Sequence, residues 1–166
     1  MEYNDLDVIA VALCLITETN REEEMPYVAG AITNRVTAHY RGQSAFEVVL
    51  APFQFSRFNK VGHELPMERR ALEHDDPAGQ VLALVQHDRR YSEELYTRAL
   101  GVAQGVLDGA NPWADGTVDH PRASRVMHYF SPVSMHGAVP AWFDPGREVL
   151  VPAIDYQRFR WFADIR

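Results

Sequence analysis

The sequence predicts an α+β fold in a single domain spanning residues 1–166, a mainly helical lobe followed by a small C-terminal β-sheet. Three observations predict it. The run from Val8 to Ile16 is apolar throughout, and apolar residues then recur at helical spacing as far as Val106. From Asn111 onward, turn residues dominate. The last third carries short runs of valine and aromatic residues, Val126–Phe130 and Glu148–Val151, which read as strands.

Because Val8–Ile16 is apolar at every position rather than on one stripe, a helix here should be buried on most sides. Asp5 is placed to cap it, and it should run to about Ile16–Thr19. Glu18 then falls in the last turn, near the negative end of the helix dipole, where dipole and desolvation both favour a protonated carboxyl. Arg21 and the acids Glu22, Glu23 and Glu24 read as the solvated start of a second helix. That helix shows Met25, Val28, Ala29, Ile32 and Val36 on one face, with Asn34 and Arg35 near its end.

Ser44-Ala45-Phe46-Glu47 is a capping-box sequence that opens a short third helix, stopped at Pro52. Phe53 to Asn59 alternates aromatic and polar residues, so it can present a ring-lined face and a hydrogen-bonding face, and reads equally as an edge strand. One or two helices follow between Pro66 and Gln86, interrupted at His74-Asp75-Asp76-Pro77. Ser92 can cap a longer helix carrying Leu95, Ala99, Val102, Ala103 and Val106, ended by Gly109. Asn111 to Gly116 is a loop, a Pro- and Gly-bearing loop passes through Pro140–Phe143, and Arg158–Phe162 is expected to close the sheet.

A formal net charge of −7 and the lack of any basic stretch argue against nucleic acid as the main partner. An anionic polymer fits only if arginines such as Arg21, Arg35 and Arg57 face a groove. No segment is long and apolar enough to span a bilayer, and the acidic start Met1–Asp5 is unlike a secretory signal. A single cysteine, Cys14, excludes an internal disulfide and is expected to pack in the core.

Several chemistries are excluded by pattern. His63-Glu64-Leu65-Pro66-Met67 begins like a zinc-protease helix but lacks the second histidine and contains a helix-breaking proline. His120, His128 and His136, eight residues apart, match no standard ligand spacing, so no metal or other cofactor is expected. The serine-nucleophile elbow and glycine-rich phosphate loops are also missing. Carboxylate chemistry remains, and glycoside cleavage needs a proton donor in a groove lined by rings and amides, which Glu18, Gln54, Ser56 and Asn59 and their neighbouring rings can supply.

Glu18, Val28–Val36 with its Asn34-Arg35 pair, Val48–Asn59 with its Gln54-Phe55-Ser56 core, and His128-Tyr129-Phe130-Ser131-Pro132 stand in an order that resembles the SleB/CwlJ-type cell-wall hydrolase family. The chain departs from that pattern in the threonines flanking Glu18 and in Met127, where threonine is common. The resemblance implies a lysozyme-like fold and cleavage of peptidoglycan glycan strands by lytic transglycosylation, with Glu18 as the one catalytic acid. Asn34, Arg35, Gln54, Phe55, Ser56, Asn59, His128 and Tyr129 become candidate substrate-binding residues. Read from the residues alone, Asn34 and Arg35 either cap the second helix or touch substrate, and Gln54, Ser56 and Asn59 either satisfy a buried turn or touch substrate. His128 and Tyr129 are expected to line the groove, and Trp113 and Trp142 to pack or form its rim.

The expected setting is a monomer made in the cytoplasm without a signal peptide, reaching the wall after holin-mediated release or as a virion component. The rival functions are a muramidase-type hydrolase using a second carboxylate from Glu22, Glu23 or Glu24, an amidase on the peptide stem, and a non-catalytic virion or wall-binding module.

Overall fold

The computed structural model describes residues 3–165. Six α-helices precede a three-stranded antiparallel sheet, so the mainly helical α+β class stands. The first helix, α1 (Asp5–Glu18), is the keel: it packs against each of the other five, α2 (Met25–Thr37), α3 (Ala45–Leu50), α4 (Met67–Leu72), α5 (Pro77–His87) and α6 (Glu93–Leu107). Every residue from Ala10 to Ile16 is buried, as a helix without a polar stripe requires. Cys14 is among them. No helix among the described residues is long and apolar enough to cross a membrane.

Several local expectations need correction. The cap of α1 is Asn4 rather than Asp5, because Asn4 accepts from the Asp7 amide and Asp7 accepts from the Asn4 amide, a reciprocal pair that Asp5 could not form. The acids before α2 are not uniformly solvated either. Glu24 is 1% exposed and pairs with Arg158, which reaches it with Nε at 2.6 Å and Nη2 at 3.0 Å. Thr19 donates to the same carboxylate, so this ion pair clamps the exit of α1 to the chain near the sheet.

Phe53–Asn59 is not a strand. It forms a turn followed by a single 3-10 turn at Ser56–Phe58. The core takes both Phe55 and Phe58, each 1% exposed, and a spacing of three puts side chains on one side of a 3-10 turn but on opposite faces of a strand. Phe53 is left 90% exposed at φ 62°, with its amide held by Asn59 Oδ1 at 2.8 Å.

The sheet runs β1 (Val126–Phe130), β3 (Arg160–Ala163), β2 (Glu148–Val149). The segment expected to close the sheet is therefore its centre: Trp161 lies opposite both Tyr129 and Val149, and Phe162 opposite both His128 and Glu148. One face joins the main core, and the other holds a smaller cluster of Phe130, Phe162 and Ile165 under Trp142 and Phe143. The β1–β3 register breaks between Val126 and His128, which leaves Met127 as the irregular residue.

The helical lobe and sheet are joined through Asn34. Its side-chain amide donates to the Val126 carbonyl at 2.9 Å and accepts from Asn111 Nδ2 at 3.1 Å, while Asn111 accepts from the Trp113 amide. Trp113 closes the knot by donating from its indole to the Tyr27 carbonyl at 2.8 Å. Gly30 permits this approach, because a Cβ there would lie 2.6 Å from Trp113 Cδ1 and closer still to Asn111 Oδ1. Gly30→Ala is thus expected to destabilise the fold by about 2–3 kcal/mol despite alanine's better helix propensity, lowering the melting temperature by roughly 5–10 °C in a thermal scan.

Candidate functional site

Glu18 is the last residue of α1, and its carboxyl is partly buried against β1. The helix ends because Thr19 turns extended, its amide still bonded to the Leu15 carbonyl at 2.9 Å and its hydroxyl drawn to Glu24. Tyr129 on β1 donates its hydroxyl to Glu18 Oε2 at 3.1 Å, and among the described residues this is the one hydrogen bond the carboxyl receives. Burial raises the Glu18 pKa above the ordinary carboxylate range, while the Tyr129 hydrogen bond and then the charges of Arg35 and Arg57 pull it back. Desolvation wins. The result is a carboxyl that holds its proton to higher pH than an exposed glutamate, with one oxygen oriented by a phenol.

Arg35 lies behind this pair. It is buried, donates from Nε to the Met127 carbonyl at 2.6 Å, and sits 5.2 Å from the Phe55 ring centroid. Its Nη1 is buried without a partner. Burial lowers the Arg35 pKa and pushes the Tyr129 hydroxyl well above its usual value, so Tyr129 is a hydrogen-bond donor and not a proton source.

His128, the neighbour of Tyr129, is buried between Tyr40, whose hydroxyl lies 3.2 Å from Nε2, and Trp142, at a centroid separation of 5.2 Å. Burial first, then the charges of Arg35 and Arg41, depress its pKa to about 4. It is neutral at neutral pH. Its Nδ1 is buried and unpaired.

The structure thus brings together Glu18, Arg35, Phe55 and Tyr129, with His128 beside them on β1. Phe55 is buried beneath the site rather than lining it, 6.5 Å from the Tyr129 ring centroid. Asn34 is drawn into the knot between lobes, and its amide is committed to Val126 and Asn111, so substrate contact is replaced by a structural duty. Asn59 likewise spends its Oδ1 on the Phe53 amide, and Gln54 turns back to the Pro52 carbonyl at 3.4 Å. Ser56, Arg57 and Asn59 line a concavity of about 330 Å³ that continues to Glu64 and Arg90. Arg57 is the weakest of the influences that pull the Glu18 pKa down, and Glu18 is not among the residues that line this concavity.

No family model, curated protein or solved structure matches this chain.

Tyr40 and Trp142 hold His128, Trp142 from the face of the sheet opposite Tyr129, and no motif marks Tyr40, which follows α2 in a polar turn. The placement of Arg57 is visible only in three dimensions. Among the described residues no group of three or more His, Cys, Asp or Glu side chains is placed to hold a metal ion. The Glu18 carboxyl, partly dehydrated and held by Tyr129, is a group able to give and take a proton.

Proposed function

We propose that this protein cleaves peptidoglycan glycan strands between N-acetylmuramic acid and N-acetylglucosamine as a lytic transglycosylase, with Glu18 as its acid and base, on a lysozyme-like fold. The observation that carries the reading is the single carboxyl at the end of the buried α1, held by Tyr129 and with its pKa raised by burial. A proton donor for a poor leaving group must reach the reaction still protonated, and burial supplies that.

In the proposed reaction Glu18 gives its proton to the glycosidic oxygen as the bond from that oxygen to the muramic acid anomeric carbon breaks. The 6-hydroxyl oxygen of the same sugar bonds to that carbon, and its proton passes to the Glu18 carboxylate, which restores the acid. Tyr129 stabilises the carboxylate between the two transfers by its hydrogen bond, and the charges of Arg35 and Arg57 favour the same anionic state. The concavity at Ser56, Arg57 and Asn59, whose wall mixes polar side chains with Val61, Leu65 and Met67, is the proposed seat of the flanking sugars. Ring closure consumes neither water nor a second carboxylate.

A muramidase-type hydrolase would need that second carboxylate, and the acidic run after α1 supplies it poorly. Glu24 is committed to Arg158 and Thr19 and Glu22 is paired with Arg98, which leaves the exposed Glu23 as the one of the three for that rival. Mass spectrometry of digested, purified sacculi tests the proposal: products ending in 1,6-anhydro-muramic acid are expected, whereas reducing muramic acid ends would replace the transglycosylase with a hydrolase, and cut peptide stems with an amidase.

A further inference from the structure

A second concavity, of about 830 Å³, opens beside the sheet, lined by Arg125, Met127, Trp142, Asp144, Arg147 and Asp164. It shares only β1 with the Glu18 site, since Trp142 and Ile165 in its lining pack on the face of the sheet opposite Tyr129. Met127, whose carbonyl holds Arg35, is two residues before Tyr129, a distance of about 7 Å along an extended strand.

The arginines here are paired in a different manner from those that hold the fold. Arg158 closes on Glu24 at 2.6 and 3.0 Å, and Arg160 on Glu148 at 2.8 and 2.6 Å. Arg125 approaches Asp164 only to 3.3 Å, and Arg147 reaches Asp164 and Asp144 only to 3.7 Å. Each guanidinium has five donors, and contacts that long leave most of them for a carboxylate arriving from outside. Asp144 is about half exposed at the rim; its Oδ1 accepts from the Gly146 amide at 2.9 Å, which leaves Oδ2 to meet an ammonium. Trp142 and Met127 add an apolar wall that suits small side chains.

Loose arginines, an exposed carboxylate and an apolar wall in one concavity select a short peptide that carries carboxylates together with an amino group. We propose that this concavity binds the peptide stem of peptidoglycan, so that the enzyme reads the stem while Glu18 acts on the sugar. The assignment rests on the glycan reading of Glu18 for its biological sense, but its binding test does not.

The test is calorimetric titration of the full chain with the free tetrapeptide L-Ala–γ-D-Glu–diaminopimelate–D-Ala, following the Trp142 indole signal by NMR. Saturable binding that perturbs Trp142 is expected, weakened about tenfold in Arg125→Gln/Arg147→Gln, which leaves a polar side chain but removes the guanidinium charge and most of its donors. A single Arg147→Glu variant should weaken it at least as much. Absence of saturable binding to the unaltered protein, or equal binding by the double variant, overturns the proposal. Strand cleavage measured on the same preparation separates the two readings: peptide binding without cleavage upholds this site and removes the glycosidic role of Glu18, whereas cleavage without peptide binding removes this site alone.

Discussion

Glu18→Gln is expected to lower strand cleavage by roughly 10²–10⁴-fold while the protein becomes slightly more stable at neutral pH. The amide keeps the shape of the side chain and can still accept from Tyr129, but it has no proton to give. The stability effect follows from the direction of the pKa shift. The folded state raises the Glu18 pKa above its unfolded value, so between those two values the folded protein binds more protons than the unfolded chain. Stability therefore falls as pH rises through that window, and above it wild type carries the cost of a buried carboxylate that the variant lacks. Paired melting curves of wild type and Glu18→Gln should converge toward the ordinary carboxylate pKa and diverge above it, the variant melting higher. The acidic form is the reactive one, so the rate should decline at high pH along a limb set by the same group. Murein clearing by Glu18→Gln at the wild-type rate would remove Glu18 from the mechanism.

Arg158→Ala is expected to cost about 3 kcal/mol and to slow catalysis as well. Glu24 is 1% exposed, so removing its partner strands a buried charge; the estimate sits at the low end for such losses because the Arg158 side chain is 29% exposed. Thr19, which follows Glu18, donates to the same carboxylate and accepts from Arg158 Nη2 at 3.4 Å, so it loses the second of these two holds. Chemical denaturation would read the stability term. A drop in kcat beyond any change in folded fraction would read the displacement of Glu18, and Arg158→Lys should restore part of both. Unaltered stability in Arg158→Ala would show that Glu24 finds another partner or water.

The parts of this architecture legible in the sequence were those fixed by local periodicity. A run with no polar stripe has to be surrounded, and α1 is; Ser92 before a helical pattern and Gly109 after it frame α6. The position of Glu18 at the end of a buried helix follows from the same reasoning, and so does its raised pKa. What could not be read were the long-range partners. Nothing local distinguishes an Asn34 that ties α2 to β1 from one that greets a substrate, because the decision lies with Asn111 and Val126, 77 and 92 positions away. Glu24 looked like one of three solvated acids until Arg158, 134 positions on, took it inside. The alternation in Phe53–Asn59 misled for a related reason: a period of two competes with a spacing of three between Phe55 and Phe58, and burial selects the latter.

On the proposed reading, α1 separates two things a glycan-processing protein must vary independently. Glu18 is fixed to the most enclosed element of the molecule, whereas the two concavities are walled largely by loops between elements. Under that reading, changes in the stretches 52–66 and 131–147 would alter what is bound while Glu18 keeps its place.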